Sequence, residues 1–160
     1  MRHVLALGED PPVTLDSTLL WVHAAATTGL AGLVWVVQLV VYPSFRVVGP
    51  SPVWPALHAH HTRAMGLAVG LPWAVQGATL AALLARRPDG TSLPLLVITG
   101  ALAATTVAVT VLSSVPLHTR LAAGYDDALA RRLVATNWLR TAAWTAGAAC
   151  ALALVAQAGS

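Results

Sequence analysis

VPLHTRL (115–121), GYDDALARRL (124–133) and TNWLRTAAW (136–144) follow one another in a chain that is otherwise mostly alanine, leucine and valine. An apolar stretch ends in Pro-x-His, a short polar segment follows, and a new apolar stretch opens with Asn137, Arg140, Thr141 and Trp144. At 100° per residue those four side chains share one helical stripe. The passage reads as the junction of two apolar helices with polar groups gathered at it.

Composition says what surrounds those helices. Hydrophobic residues make up 57% of the 160 and charged residues 9%, with a mean hydropathy of +0.71. Soluble domains carry about 25% charged residues. A chain this poor in charge cannot clothe a water-facing surface, so lipid is the expected solvent for much of it. All nine basic residues are arginine, which with the abundant alanine, glycine and proline fits a GC-rich bacterial genome. The arginines are scattered, so no nucleic-acid-binding patch is expected. The single cysteine, Cys150, excludes a disulfide framework and a cysteine-based metal site.

Working outward, residues 1–14 read as a polar leader: MRHVLALG is too short for a signal peptide, and Glu9-Asp10-Pro11-Pro12 interrupts it. Four helices are expected at about 15–42, 54–85, 93–115 and 127–157. Asp16 and Ser17 are expected to cap the first, and Pro43 to end it. Its 28 or so residues would reach about 42 Å at 1.5 Å each, enough for a bilayer core of about 30 Å. PSFRVVGPSPVWP (43–55) reads as a loop, Pro72 as a kink in the second helix, and ARRPDGTS (85–92) as a tight turn. The expected fold is all-α, an integral membrane four-helix up-down bundle forming one domain.

Alternating helix directions bring the end of the first helix, the start of the second, the end of the third and the start of the fourth to one side. Gln38, Tyr42, His58, His61, His118, Asn137 and Arg140 all fall there, while the opposite ends offer little beyond Arg86, Arg87, Asp89 and Gln157. Phase adds detail. His58, His61 and Met65 share a face of the second helix, with His60 turned away; Thr99, Thr106, Thr110 and Ser114 line one side of the third. His23 is expected to be satisfied by a threonine or a carbonyl, and Gln76 is a buried polar group without an evident partner.

Three chemistries suit this set. Three imidazoles, His58, His61 and His118, can hold a transition metal, iron or copper in preference to zinc, with open positions for water, dioxygen or substrate. The same histidines can instead work as acids and bases without metal, in a cyclase, isomerase or cofactor-independent oxygenase, or serve a non-enzymatic haem-binding or transport subunit as axial ligands or a proton path. Interfacial histidines with no chemistry are the plain alternative, and the one expected for His60. An arginine inside an apolar helix is costly unless it meets a cavity or a partner. Tyr42, Asn137 and Arg140 are therefore the expected catalytic donors to a developing negative charge, with Gln38, Thr110, Thr141 and Trp144 as substrate contacts.

WVVQLVVYPSF (35–45), HAHHTR (58–63), VPLHTRLAAGYD (115–126) and LVATNWLRTAAW (133–144) resemble the pattern of small bacterial four-span membrane proteins of largely uncharacterised function. More distantly the chain is similar to the anthrone-oxygenase-like proteins, which share a Val-Pro-Leu-Asn/His element and an Asn/His-x-x-Arg-Thr element. The resemblance implies a four-helix membrane bundle and, for some distant relatives, oxygenation of a phenolic polyketide. It marks Gln38, Tyr42, Pro43, His58, His61, Arg63, Pro116, His118, Asn137, Trp138, Arg140 and Thr141. Gln76 departs from the glutamate expected in close relatives, and His118 from the asparagine usual in the anthrone-oxygenase-like proteins.

The expectation is a membrane-embedded oxidoreductase or oxygenase, partnered by the bilayer and by a lipophilic small-molecule substrate, with homo-oligomerisation left open. Arg46, Arg120, Arg131 and Arg132 on the site side, against Arg2, Arg86 and Arg87, place the site toward the cytoplasm of a bacterial inner membrane.

Overall fold

The computed structural model describes residues 14–159, so all of the leader except Thr14, His3 included, lies outside the described residues. Every regular element among them is helical. Four continuous helical segments, Leu15–Val48, Trp54–Arg86, Leu93–Ala123 and Asp127–Ala158, are each long and apolar enough to cross a membrane, with mean hydropathy from 1.4 to 2.2.

The first segment consists of α1 (Leu15–Val36), a π-helical turn (Val37–Val41) and α2 (Tyr42–Val48). The second is α3 (Trp54–Arg86). The third repeats the pattern of the first: α4 (Leu93–Val109), a π-helical turn (Thr110–Ser114) and α5 (Val115–Ala123). The fourth is α6 (Asp127–Ala158).

Pro43 therefore does not end the first helix, nor Pro116 the third. Proline has no amide hydrogen, and its ring collides with the carbonyl four residues back. Here each proline is preceded by one widened turn: the amides of Tyr42 and Val115 bond five residues back, to Val37 and Thr110. The wider turn opens room for the ring, and the helix resumes for two turns or so. The expected 43–55 loop shrinks to residues 49–53. Pro72, by contrast, lies within α3 without breaking it. The cap of α1 is Thr14, not Asp16: Thr14 and Ser17 exchange side-chain-to-backbone bonds of 3.0 and 3.1 Å in a capping box.

Segment ends meet in pairs. Arg86 donates to Asp16, and the Ser92 amide to the Gln157 side chain at 3.0 Å. At the other end Trp54 Nε1 donates to the Leu121 carbonyl at 3.0 Å, and Arg46 Nε to Asp127 at 3.1 Å. The Tyr125 hydroxyl also reaches Asp127, at 3.1 Å, and burial together with that carboxylate pushes its phenol up from the ordinary value.

The first and fourth segments are the better buried pair, 39% and 44% over their apolar windows against 22% and 17% for the second and third. Small residues account for this. Ala24, Ala31, Ala143, Gly147, Ala148 and Ala151 are buried, and a Cβ on Gly147 would come to 3.6 Å from Thr27. Side chains this small let helix backbones approach closely. Three apolar layers follow along the axis: Leu20, Leu83, Leu96 and Leu154 at one end; Leu30, Ala31, Val34, Trp144 and Ala148 in the middle; Val37, Tyr42, Phe45, Trp54, Leu117, Leu121 and Leu133 at the other.

The connection after α2 is locked by one contact, in which the Tyr125 ring lies flat against Gly49. A Cβ there would sit 2.1 Å from the ring, whereas one at Gly29 would meet nothing within 4 Å. Gly49→Ala is expected to cost about 1–3 kcal/mol and lower the melting temperature in detergent, with Gly29→Ala near neutral. Equal melting temperatures for the two variants would contradict this packing.

Candidate functional site

The two widened turns sit at the same end of the molecule, and the site forms where they face α3 and α6. The helical repeat beyond the first turn points Tyr42 and Phe45 inward; beyond the second it points His118 inward. The Tyr42 hydroxyl lies 3.1 Å from His118 Nε2, and His118 Nδ1 lies 3.1 Å from His58 Nε2. Tyr42, His118 and His58 thus form one hydrogen-bonded line across three helical segments. Phe45 packs edge-on against His61, with centroids at 4.8 Å and planes at 89°. Trp54 lies against His58 at 4.9 Å.

His61 differs from its neighbours. Its ring stacks against His118 at 5.6 Å, yet neither of its nitrogens meets a hydrogen-bond partner among the described residues, and it is only half-buried on the wall of a cavity of about 730 Å³. The cavity is mostly apolar, between Leu30, Val34, Val69 and Trp73, with Tyr42, the three histidines, Ser114 and Arg140 at its polar end. Its exposed rim is formed by Ala59, Thr62, Gly66 and Gly70 of α3 and by Val115, Thr119 and Ala122 of α5. The cavity therefore opens sideways, between the second and third segments.

Arg140 is 8% exposed. Its NH1 donates to Asn137 Oδ1 at 3.2 Å and to Ser114 Oγ at 3.4 Å. The guanidinium lies 5.0 Å from the Trp144 ring centre, a cation–π contact, and close enough to the Tyr42 hydroxyl to interact with it. Asn137 is fixed in turn by Gln38, whose Oε1 accepts its amide at 2.8 Å while Gln38 Nε2 donates to the Val134 carbonyl at 3.3 Å.

Below Trp144 a second polar chain crosses the middle of the fold. Trp144 Nε1 donates to Gln76 Oε1 at 3.3 Å, Gln76 Nε2 to Thr27 at 3.1 Å, and His23 lies between Thr27 at 3.5 Å and Thr79 at 3.0 Å. Gln76 thereby has its partners, and His23 is held by two threonines.

The sequence-predicted residues thus divide into a wall and a support. Tyr42, His58, His61, His118, Thr110, Arg140 and Trp144 line the cavity. Gln38, Asn137 and Thr141 do not: Gln38 and Asn137 stand behind Arg140 as positioning residues, and Thr141 bonds the Asn137 carbonyl at 3.1 Å. Asn137, expected as a catalytic donor, and Gln38 and Thr141, expected as substrate contacts, therefore lie off the cavity wall. Thr110 also turns its hydroxyl to its own helix, at the Thr106 carbonyl. His60 is exposed and apart. Phe45 was not expected at all; its signal is the spacing of three from Tyr42, legible only once the helix is known to run through Pro43.

The three histidines are brought together, with His58 and His118 turned toward one another. Among the described residues no group of three His, Cys, Asp or Glu side chains is disposed to hold a metal ion. An ion between His58 Nε2 and His118 Nδ1 would find two donors where a closed or catalytic site uses three or four. Direct contact of the same two nitrogens leaves no room for a porphyrin between them. What the arrangement can do is move protons: transfer from Tyr42 to His118 Nε2 and from His118 Nδ1 to His58 leaves charge at His58 and a phenolate near Arg140.

No protein-family model, no curated protein and no solved structure matches the chain. Fold and site define it as an all-helical protein with four potential membrane-crossing helices around a side-opening cavity that is apolar along its length and polar at one end.

Asn137→Leu strips partners from both Gln38 and Arg140, two buried groups each costing about 1–3 kcal/mol when left unpaired. It is expected to lower the melting temperature clearly, with His60→Ala unchanged. A melting temperature for Asn137→Leu equal to the parent's would show that the Gln38–Asn137–Arg140 chain does not form.

Proposed function

We propose that this chain is a multi-pass bacterial inner-membrane protein, an up-and-down bundle of four spans, acting on a lipophilic small molecule by acid–base chemistry without a metal. Insertion is supported by large apolar side chains left on the outer surface, such as Leu67 at 77%, Leu71 at 73% and Leu112 at 78% exposure. Exposure of that kind in water would be a liability. The pairing of segment ends supports the alternating topology, and the cluster of arginines around the site end supports a cytoplasm-facing site.

The observation that carries the chemistry is how the imidazoles use their nitrogens. His118 spends both on Tyr42 and His58, while His61 keeps both free within the cavity. His61 takes the proton from the bound molecule as general base. The Tyr42–His118–His58 line carries a proton between the cavity wall and the buried His58, so that Tyr42 can donate to the substrate oxygen as charge develops there, while Arg140 holds the bound molecule at the polar end. The cavity opens toward acyl chains, so a lipophilic substrate reaches it without crossing water. The motif resemblance to the anthrone-oxygenase-like proteins supports a phenolic or carbonyl compound, and a carbanion formed this way is a species that dioxygen can oxidise without a metal.

The test uses purified protein in nanodiscs and a lipophilic enolisable ketone, tetralone, in deuterated buffer. Deuterium uptake beside the carbonyl is expected to survive chelation, with no stoichiometric transition metal in the protein. It is expected to fall about 100-fold or more in His61→Ala. One bound iron or copper per chain, with uptake abolished by chelation, would overturn the metal-free reading.

A further inference from the structure

Among the described residues Arg140 has no counter-ion. Among the described residues it is the only charged side chain on the cavity wall, and every partner it has is neutral: Asn137, Ser114, the face of Trp144 and the Tyr42 hydroxyl. Its Nε is buried with no partner at all. The described carboxylates are elsewhere. Asp16 pairs with Arg86, Asp127 with Arg46 and Arg131, Asp126 caps α6, and Asp89 lies in the turn before α4. A guanidinium at this depth is costly until something meets its charge, and nothing in the described fold does.

Deepening the reading of this cavity as the functional site, we propose that its ligand is a carboxylate amphiphile carrying a single negative charge. The planar fork of arginine matches the two oxygens of a carboxylate, and the unpartnered Nε edge is the part of that fork left open. One cation on the wall calls for one negative charge. A phosphate head would bring nearly two, with no second cation to meet the excess. The apolar body lies between Leu30, Val34, Val69 and Trp73, in a volume that accommodates a small lipophilic acid. The sideways opening between α3 and α5 admits such a molecule from the acyl-chain region with its head toward the site end.

The experiment is a fluorescence titration in nanodiscs of zwitterionic lipid. Terminally brominated dodecanoate is the probe, because bromine beside Trp73 or Trp144 quenches tryptophan emission. Saturable one-site quenching by the carboxylate is expected, with the brominated alcohol of equal length about 30-fold weaker or more, the loss that follows when a buried charge pair is truncated. Arg140→Gln is expected to bring acid and alcohol together, and Arg140→Lys to keep the preference for the acid. Equal binding of acid and alcohol by the native protein would overturn the proposal, as would a preference for the acid that persists in Arg140→Gln. Tighter binding of brominated dodecyl phosphate than of the carboxylate would overturn the single-charge assignment. Should Arg140→Gln fail to fold, the native comparison decides alone. These are binding readouts without turnover. Their failure leaves the histidine relay standing, and a failed exchange assay leaves the ligand class standing.

Discussion

His118 ties the third helical segment to the first through Tyr42 and to the second through His58, with one ring nitrogen for each. An imidazole in an apolar interior must satisfy both nitrogens or leave an unpaired polar atom, at about 1–3 kcal/mol. Here it does so by joining helices that share little else, since the second and third segments are the less buried pair. The same bonds hold the polar end of the cavity in shape while its side stays open. Because the two hydrogen bonds share one ring, the proton positions at Tyr42 and His58 depend on each other, which makes a packing device also a chemical one.

That geometry depends on two prolines. A helix interrupted at Pro43 or Pro116 would end before presenting Phe45 or His118. A straight α-helix through them would drive each ring into the carbonyl four residues back. The π turns at Val37–Val41 and Thr110–Ser114 resolve the conflict, and π turns inside helices occur frequently at functional sites. The first and third segments use the device in the same register, one widened turn ending at the residue before proline. Tyr42 and His118 thereby arrive at one level from two helices.

Much of this is readable from composition and phase. Charge scarcity and the four apolar runs predict the helices within a residue or two wherever capping or turn chemistry marks an end, as at Trp54, Leu93 and Asp127. They fail at Pro43 and Pro116, because a proline after an apolar run reads as a stop, and nothing local distinguishes a stop from a widened turn. The polarisation of His58, His61, His118, Tyr42 and Arg140 to one end follows from topology alone. The division into wall and support does not. Asn137 and Arg140 fall on the same stripe of α6 in projection, and only packing sets Arg140 on the cavity and puts Asn137 behind it, against Gln38. The histidines show the same limit: spacing says that three imidazoles can meet, while packing sets which ring nitrogens face one another.

In the function proposed here Arg140 and the histidine line are complementary halves of one site, a fixed positive charge and a mobile proton, and both act more strongly in an apolar pocket than in solution. The central claim is that His58 and His118 share a proton and not a metal. Nitrogen-15 NMR of histidine-labelled protein in lipid tests it directly. The account predicts a scalar coupling across the hydrogen bond between His58 Nε2 and His118 Nδ1, unchanged by a chelator. Loss of that coupling, with both nitrogens shifted by a bound diamagnetic metal ion that the chelator removes, would contradict it.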